Sequence, residues 1–311
     1  MPKLNLETLT RSAAAGNTAA IERLLGAIVD DVHTLALRML WHPVDAEDAT
    51  EAILFEIVSH LGDRPPAQFG APGRPRNAPF RTEALRIASR YLLHTHPSPM
   101  ERQDWSFDEM AERLERGTTD EVPVDVGDDL RPLLLDEVEV GCTQTMLLCL
   151  DRPHRLAYIL AEVLDLDTDT AADVVTIGPD LFRVLLRRAR ALLHPFMQAR
   201  CGVVNSESTC RCSRRLGRDL RTGRVDPERL LFVSSVKAHP TASERPNGAA
   251  KRAARLVAPE TDGERLIPVE RLTKGAGDVF RSQMLRPAPR WIAERVAAAS
   301  HAESPDERLL A

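Results

Sequence analysis

Residues 151–190, DRPHRLAYILAEVLDLDTDTAADVVTIGPDLFRVLLRRAR, constrain this chain more than any other stretch. Leu156, Ala157, Leu160, Val163 and Leu164 recur at helical spacing and give one apolar face. After an acidic break, Thr168 and Asp169 are N-cap types. Their side-chain oxygens can accept the first free amides of a small helix over Thr170–Val175. Thr176-Ile177-Gly178 reads as a turn, and Pro179 suits the first position of a longer helix. In that helix Leu181, Phe182, Leu185 and Leu186 are expected to pack inward, with Arg183, Arg187, Arg188 and Arg190 on its other faces. A tight helix pair with a basic second member fits the helix-turn-helix plan for reading the DNA major groove. It equally fits a helical hairpin with a solvated Arg face, because Arg is a good helix former at any surface position.

The 311 residues leave room for roughly two domains. Apolar residues make up 43% but aromatics only 4%, and Leu and Ala dominate. Only Arg229–Val236 hints at an alternating strand, so the expected fold is all-α. A net charge of −5 argues against the whole chain being a general polyanion binder. The charge is uneven, however. Asp120–Asp173 holds fourteen acids against three Arg, and Arg183–Arg221 holds ten Arg against Glu207 and Asp219. A local basic stretch is what nucleic acid requires. The opening MPKLNLETL has no charged segment leading into an apolar one, and no apolar run reaches the length of a membrane span. Five cysteines without such a leader point to reduced thiols. The expectation is a cytoplasmic protein without membrane insertion.

Along the chain, Asn17 caps a helix from Thr18 whose apolar series runs through Leu24, Ile28, Val32, Leu35 and Met39 to Leu40. That length predicts a break near Gly26 or Asp30, and Trp41-His42-Pro43 stops the series. Asp45-Ala46-Glu47-Asp48 opens a third helix, with acids where the helix dipole favours them. Its inner face is Ala49, Ile53, Leu54, Ile57, Val58 and Leu61. Arg64–Pro79, with five prolines in sixteen residues, reads as a loop. A fourth helix is predicted over Phe80–His94, with Leu85, Ile87, Ala88, Tyr91 and Leu92 in the core. Pro97–Val126 is polar and acidic, a flexible linker with a short helix near Phe107–Leu114. Leu134, Val138, Cys142, Met146 and Leu147 mark the next helix. Pro195 should kink or end the helix that carries it. Residues 217–275 lack periodicity and read as largely disordered, before a last helix around Trp291–Ala299. The expected organisation is therefore a helical domain over 1–96, an acidic linker over 97–129, a helix-turn-helix domain over 130–200 and a largely irregular, Cys-containing extension over 201–311.

Cys201, Cys210 and Cys212 sit as C-x8-C-x-C. Thiolates at such spacing can hold a structural zinc, which prefers four ligands, and His194 is the nearest fourth. The other reading is three free thiols beside Arg211, Arg214 and Arg215. Cys142 and Cys149 are expected in the core. No Gly-rich phosphate loop, H-E-x-x-H or G-x-S-x-G is present, so no enzyme is expected. His33, His42, His60, His94, His96 and His154 are scattered and read as surface or helix-end residues.

Several stretches carry a resemblance. RML followed by DAEDATEAILFEIVSHL resembles region 2 of the extracytoplasmic-function (ECF) sigma factors of bacterial RNA polymerase. FRTEALRIASRYLL looks like the later helix of that region, and residues 150–193 resemble region 4. CGVVNSESTCRC and VFRSQMLRPAP are similar to the C-terminal extension of one branch. The resemblance implies a promoter-specificity subunit partnered by core RNA polymerase and promoter DNA, with an anti-sigma factor as a further partner. Asp45, Glu47, Asp48 and Glu51 would dock on the clamp helices of the largest polymerase subunit. Phe80, Arg81, Arg86 and Arg90 would meet and open the −10 element. The helix from Pro179 would enter the major groove at the −35 element through Arg183, Arg187, Arg188 and Arg190. The chain departs from the family at Glu83 and Leu85, where aromatics are usual, and at Glu56, Val184 and Leu185, where basic residues are common. An anion at Glu83 would repel approaching DNA, so the alternative is a divergent regulator that binds polymerase or another protein without opening promoters.

Overall fold

A computed structural model describes residues 6–63, 80–103, 105–117, 126, 130–233 and 290–302. All regular structure among them is helical, as the composition predicts. In chain order the helices are α1 (Leu6–Ala14), α2 (Thr18–Leu40), α3 (Pro43–Asp63), α4 (Phe80–His94), α5 (Phe107–Gly117), α6 (Arg131–Leu148), α7 (Arg152–Tyr158), α8 (Thr168–Val174), α9 (Pro179–Arg200), α10 (Cys212–Arg221) and α11 (Arg290–Ala302). No described helix is long and apolar enough to cross a membrane. Two units divide the chain, one from residues 1–104, 150–189 and 285–311, the other from 105–149 and 190–284. The boundaries expected at 97, 130 and 201 divide the chain differently, because each unit gathers segments far apart in sequence.

In the first unit α2 is the axis. The Asn17 side chain accepts the Ala20 amide at 3.0 Å and starts it, and Trp41, at φ 73°, ends it. The helix is unbroken, contrary to the expected break near Gly26 or Asp30. The reason is its surroundings: α1, α3, α4, α7 and α11 all pack on it. A helix enclosed on several sides can be apolar all round without being two helices. Leu24, Leu25, Ile28, Val32, Leu35 and Met39 are fully buried. α3 contributes Ala49, Ile53, Leu54, Ile57 and Leu61 to the core as predicted, and α4 contributes Leu85, Ile87, Ala88 and Leu92. Val58 and Tyr91 are only half-buried. α7 continues into a π turn over Ile159–Val163, where the Leu164 amide bonds back to the Ile159 carbonyl at 3.0 Å.

A buried ionic cluster ties α7 to this bundle. Arg152 and Arg155 each reach Glu101 at 2.8 Å. Arg152 also donates to the carbonyls of Leu92 and Thr95, closing the C-terminal end of α4. Arg155 donates to the carbonyls of Met39 at 2.6 Å and Leu150 at 2.9 Å. Burial disfavours the ionised Glu101, but hydrogen bonds from Arg152 and the Ser98 amide, with the Arg155 charge, outweigh it and hold the carboxyl below its usual range.

In the second unit α10 packs on α6 over a core of Leu134, Val138, Leu216, Val225, Leu230 and Val233. Residues 222–233, expected to be disordered, form turns whose apolar side chains complete that core; no strand forms at Arg229–Val233. Glu137 of α6 anchors the segment. Its carboxylate accepts the amides of Leu231 at 2.7 Å, Phe232 at 2.9 Å and Val233 at 2.9 Å. Gly141 leaves space for the Phe232 ring, which lies 3.3 Å from where a Cβ would stand. α9 continues through Pro195 to Arg200, so the proline does not end it; Leu193 and Met197 are buried on either side of the proline. The predicted loop over Arg64–Pro79, the rest of the acidic linker over 118–125 and the irregular stretch over 234–289 lie outside the described residues.

Candidate nucleic-acid interface

α8 is capped one residue earlier than the sequence suggests. The Asp167 side chain, rather than Thr168 or Asp169, accepts the amides of Asp169 at 3.1 Å and Thr170 at 2.9 Å. Bonds from the Thr170 hydroxyl and these amides hold the Asp167 carboxyl below its usual range. Thr176 then takes φ 59°, a left-handed conformation unusual for a β-branched residue, and the four residues Val175–Gly178 turn the chain to Pro179. α9 buries Phe182, Leu186 and Ala189, while Leu185 is half-buried. Leu181, expected inside, is 52% exposed, and Val184 is 46% exposed. Both stand on the outer surface of α9 among Arg183, Arg187 and Arg188, which are exposed. Arg183 pairs with Asp180 one turn back. Arg190, also exposed, is the first residue past the division between the units.

The candidates on α4 are differently placed. Phe80 is half-buried in the first turn. Arg81 pairs with Asp31 of α2 at 2.6 Å. Arg86 is largely enclosed; it pairs with Glu83 on its own helix and with Asp173 of α8 at 2.7 Å. Arg90 pairs with Glu56 of α3. All three guanidiniums of α4 are thus met by carboxylates. Arg86 could not turn to a phosphate without giving up its pairs with Asp173 and with the largely enclosed Glu83, an unfavourable exchange. Three residues that depart from the resembled pattern have structural partners: Glu83 pairs with Arg86, Leu85 is fully buried, and Glu56 is the partner of Arg90.

The acids expected to bind polymerase line the first two turns of α3. Asp48 is exposed, and Asp45, Glu47 and Glu51 are half-buried. Partial burial, then the neighbouring Asp48 charge, raises the Glu47 carboxyl above its usual range. Glu51 is met by Arg295 of α11 at 3.0 Å.

The cysteines gather in the second unit. Cys142 of α6, Cys201, Cys210 and Cys212 lie close enough that the charge of one thiolate would be felt by others. Burial raises every one of these thiols, Cys201 to about 11 and Cys212 well above the ordinary thiol value. Among the described residues no three His, Cys, Asp or Glu side chains are arranged to hold a metal ion, so the zinc set of Cys201, Cys210, Cys212 and His194 does not form. Cys212 lies against the Leu134–Val138–Leu216 core as a small apolar side chain, and Cys142 lies near the other three thiols.

Sequence reasoning also placed His33 at the surface. It is 5% exposed in the middle of α2, neither ring nitrogen has a hydrogen-bond partner, and burial lowers its pKa to about 4. The ionic roles of Glu101, Arg155 and Glu137 were missed because the charged or amide partners that define them stand 51 or more positions away. No protein-family model matches the sequence of this chain, and no curated protein matches it.

Proposed function

We propose that this chain is a promoter-specificity subunit of bacterial RNA polymerase of the ECF sigma type, acting in the cytoplasm. The observation that carries the reading is the α8–α9 unit. A side-chain cap, a four-residue turn and an N-terminal Pro deliver a helix whose outer surface bears Arg183, Arg187 and Arg188, with Arg190 following. Exposed guanidiniums suit phosphate and guanine edges, and Leu181 and Val184 beside them suit thymine methyl groups. The acidic edge of α3 supplies a surface for the basic partner that a sigma factor needs in core polymerase. Asp45, Glu47, Asp48 and Glu51 carry that role.

A second reading has its own support in α4. With Arg81, Arg86 and Arg90 all paired to carboxylates, that helix presents little free positive charge to single-stranded DNA, which is held by basic grooves and aromatic platforms. A regulator that binds polymerase and duplex DNA without opening promoters would need no more. Run-off transcription with purified core polymerase, the full chain and a library of promoter fragments separates the two. Specific transcripts sharing an upstream sequence are expected of a sigma factor. Binding to core without transcripts, even from pre-melted templates, would replace the first reading with the second.

A further inference from the structure

α11 packs on α2 and on α3, the helix that carries the acidic edge. Its contact surface is a short apolar seam: Ile292, Val296 and Ala297 are fully buried. Beside the seam the Arg295 guanidinium meets Glu51 at 3.0 Å, leaving the Glu51 side chain 14% exposed. Glu51 is one of the four acids assigned above to polymerase, so the last described helix of the chain covers a residue the partner would need.

We propose that α11 is a cover acting in cis: it occupies the α2–α3 face and must lift away before the acidic edge of α3 can bind its partner. The identity of that partner as polymerase rests on the function proposed above. The chemistry of α11 is what the partner must itself bring, a basic side chain for Glu51 and an apolar ridge for the groove beside it. The contact is also of a kind that can be exchanged. A helix of 13 residues is marginal in water on its own. Among its described side chains three are buried, and one ion pair is made by an Arg that is 66% exposed and therefore screened. Elements docked so lightly open first in a fold.

The test uses the full chain, wild type and two variants. Val296→Asp puts a charge into the buried seam, and Arg295→Glu, at an exposed position that does not threaten folding, sets like charges against Glu51. Hydrogen exchange reports release as loss of protection in residues 290–302 with α2 still protected. Affinity for core polymerase is then measured for each. If α11 covers the face nine-tenths of the time, release strengthens binding about tenfold, because only the open fraction competes for the partner. Val296→Asp is expected to reach that gain and Arg295→Glu part of it. Adding polymerase to the wild-type chain is expected to strip protection from residues 290–302. Equal affinities for all three proteins, or polymerase bound with α11 still protected, overturn the cover and leave the sigma reading standing. No binding by any of the three, with release confirmed by exchange, overturns the sigma reading itself and the cover with it.

Discussion

An imidazole sealed inside α2 with neither nitrogen bonded makes this fold sensitive to acid at one residue. His33 has a folded pKa of about 4 against an ordinary 6.5, and the cause is burial. The folded protein therefore resists taking up a proton that the unfolded chain accepts readily. Between pH 6.5 and about 4 the unfolded state binds more protons, so stability falls as pH falls through that window. From about pH 7 to about pH 4.5 the loss from this group is on the order of 2–3 kcal/mol. His33→Leu removes the titration and two unsatisfied nitrogens while keeping the volume. Urea midpoints at the two pH values should show wild type losing more stability than His33→Leu by about that amount; parallel losses would refute the assignment. Nothing local in the sequence separates His33 from a surface histidine. Its neighbours Val32 and Leu35 belong to the apolar series, but a reading that gives each helix one buried face leaves position 33 outside it. Only the crowding of α2 on several sides encloses the ring.

Helices were legible almost to the residue where capping and apolar spacing agreed, as over Phe80–His94. They were misread where neighbours override local signals, as at Gly26, which lies inside the unbroken α2. The exposed Arg face of α9 was legible as a pattern, because its positions follow from helical geometry alone. The α4 site was not, because Asp31, Glu56 and Asp173 reach its guanidiniums from other helices. Two outcomes belong to this scale. Asp167→Ala removes the only side-chain cap of a seven-residue helix and should cost about 1 kcal/mol of local stability, read as faster amide exchange over Ala171–Val174 with α4 unchanged. Unchanged exchange would mean that packing against α4 alone holds α8. Replacing Arg183, Arg187 and Arg188 together by Ala should weaken duplex binding across sequences. It should also flatten the salt dependence by about one unit of log–log slope for each phosphate these side chains neutralise. A slope identical to wild type would remove these side chains from the phosphate backbone.

Consecutive domains are what a sequence offers when read along its length, and here the chain passes between units instead. Residues 105–149 leave the first unit and residues 150–189 return to it. The partners that enforce this are long-range and ionic: Arg155 with Glu101 and the Met39 carbonyl in one unit, Glu137 with residues 231–233 in the other. Each unit has its own core and its own buried carboxylate anchor, so damage to one anchor should stay within its unit. Glu137→Ala gives the sharpest form of this expectation. The substitution leaves the amides of Leu231, Phe232 and Val233 without their acceptor. A buried amide left unsatisfied costs about 1–3 kcal/mol, and partial access of water to three of them brings the expected loss to roughly 3 kcal/mol. Val225, Leu230 and Val233 would then withdraw from the Leu134–Val138–Leu216 core. Native-state hydrogen exchange on the full chain should record lost protection in α6 and α10, while the amides of α2 keep their wild-type rates. Equal loss of protection in α2 would show that the chain opens as one cooperative body, and that two cores do not make two independently stable units.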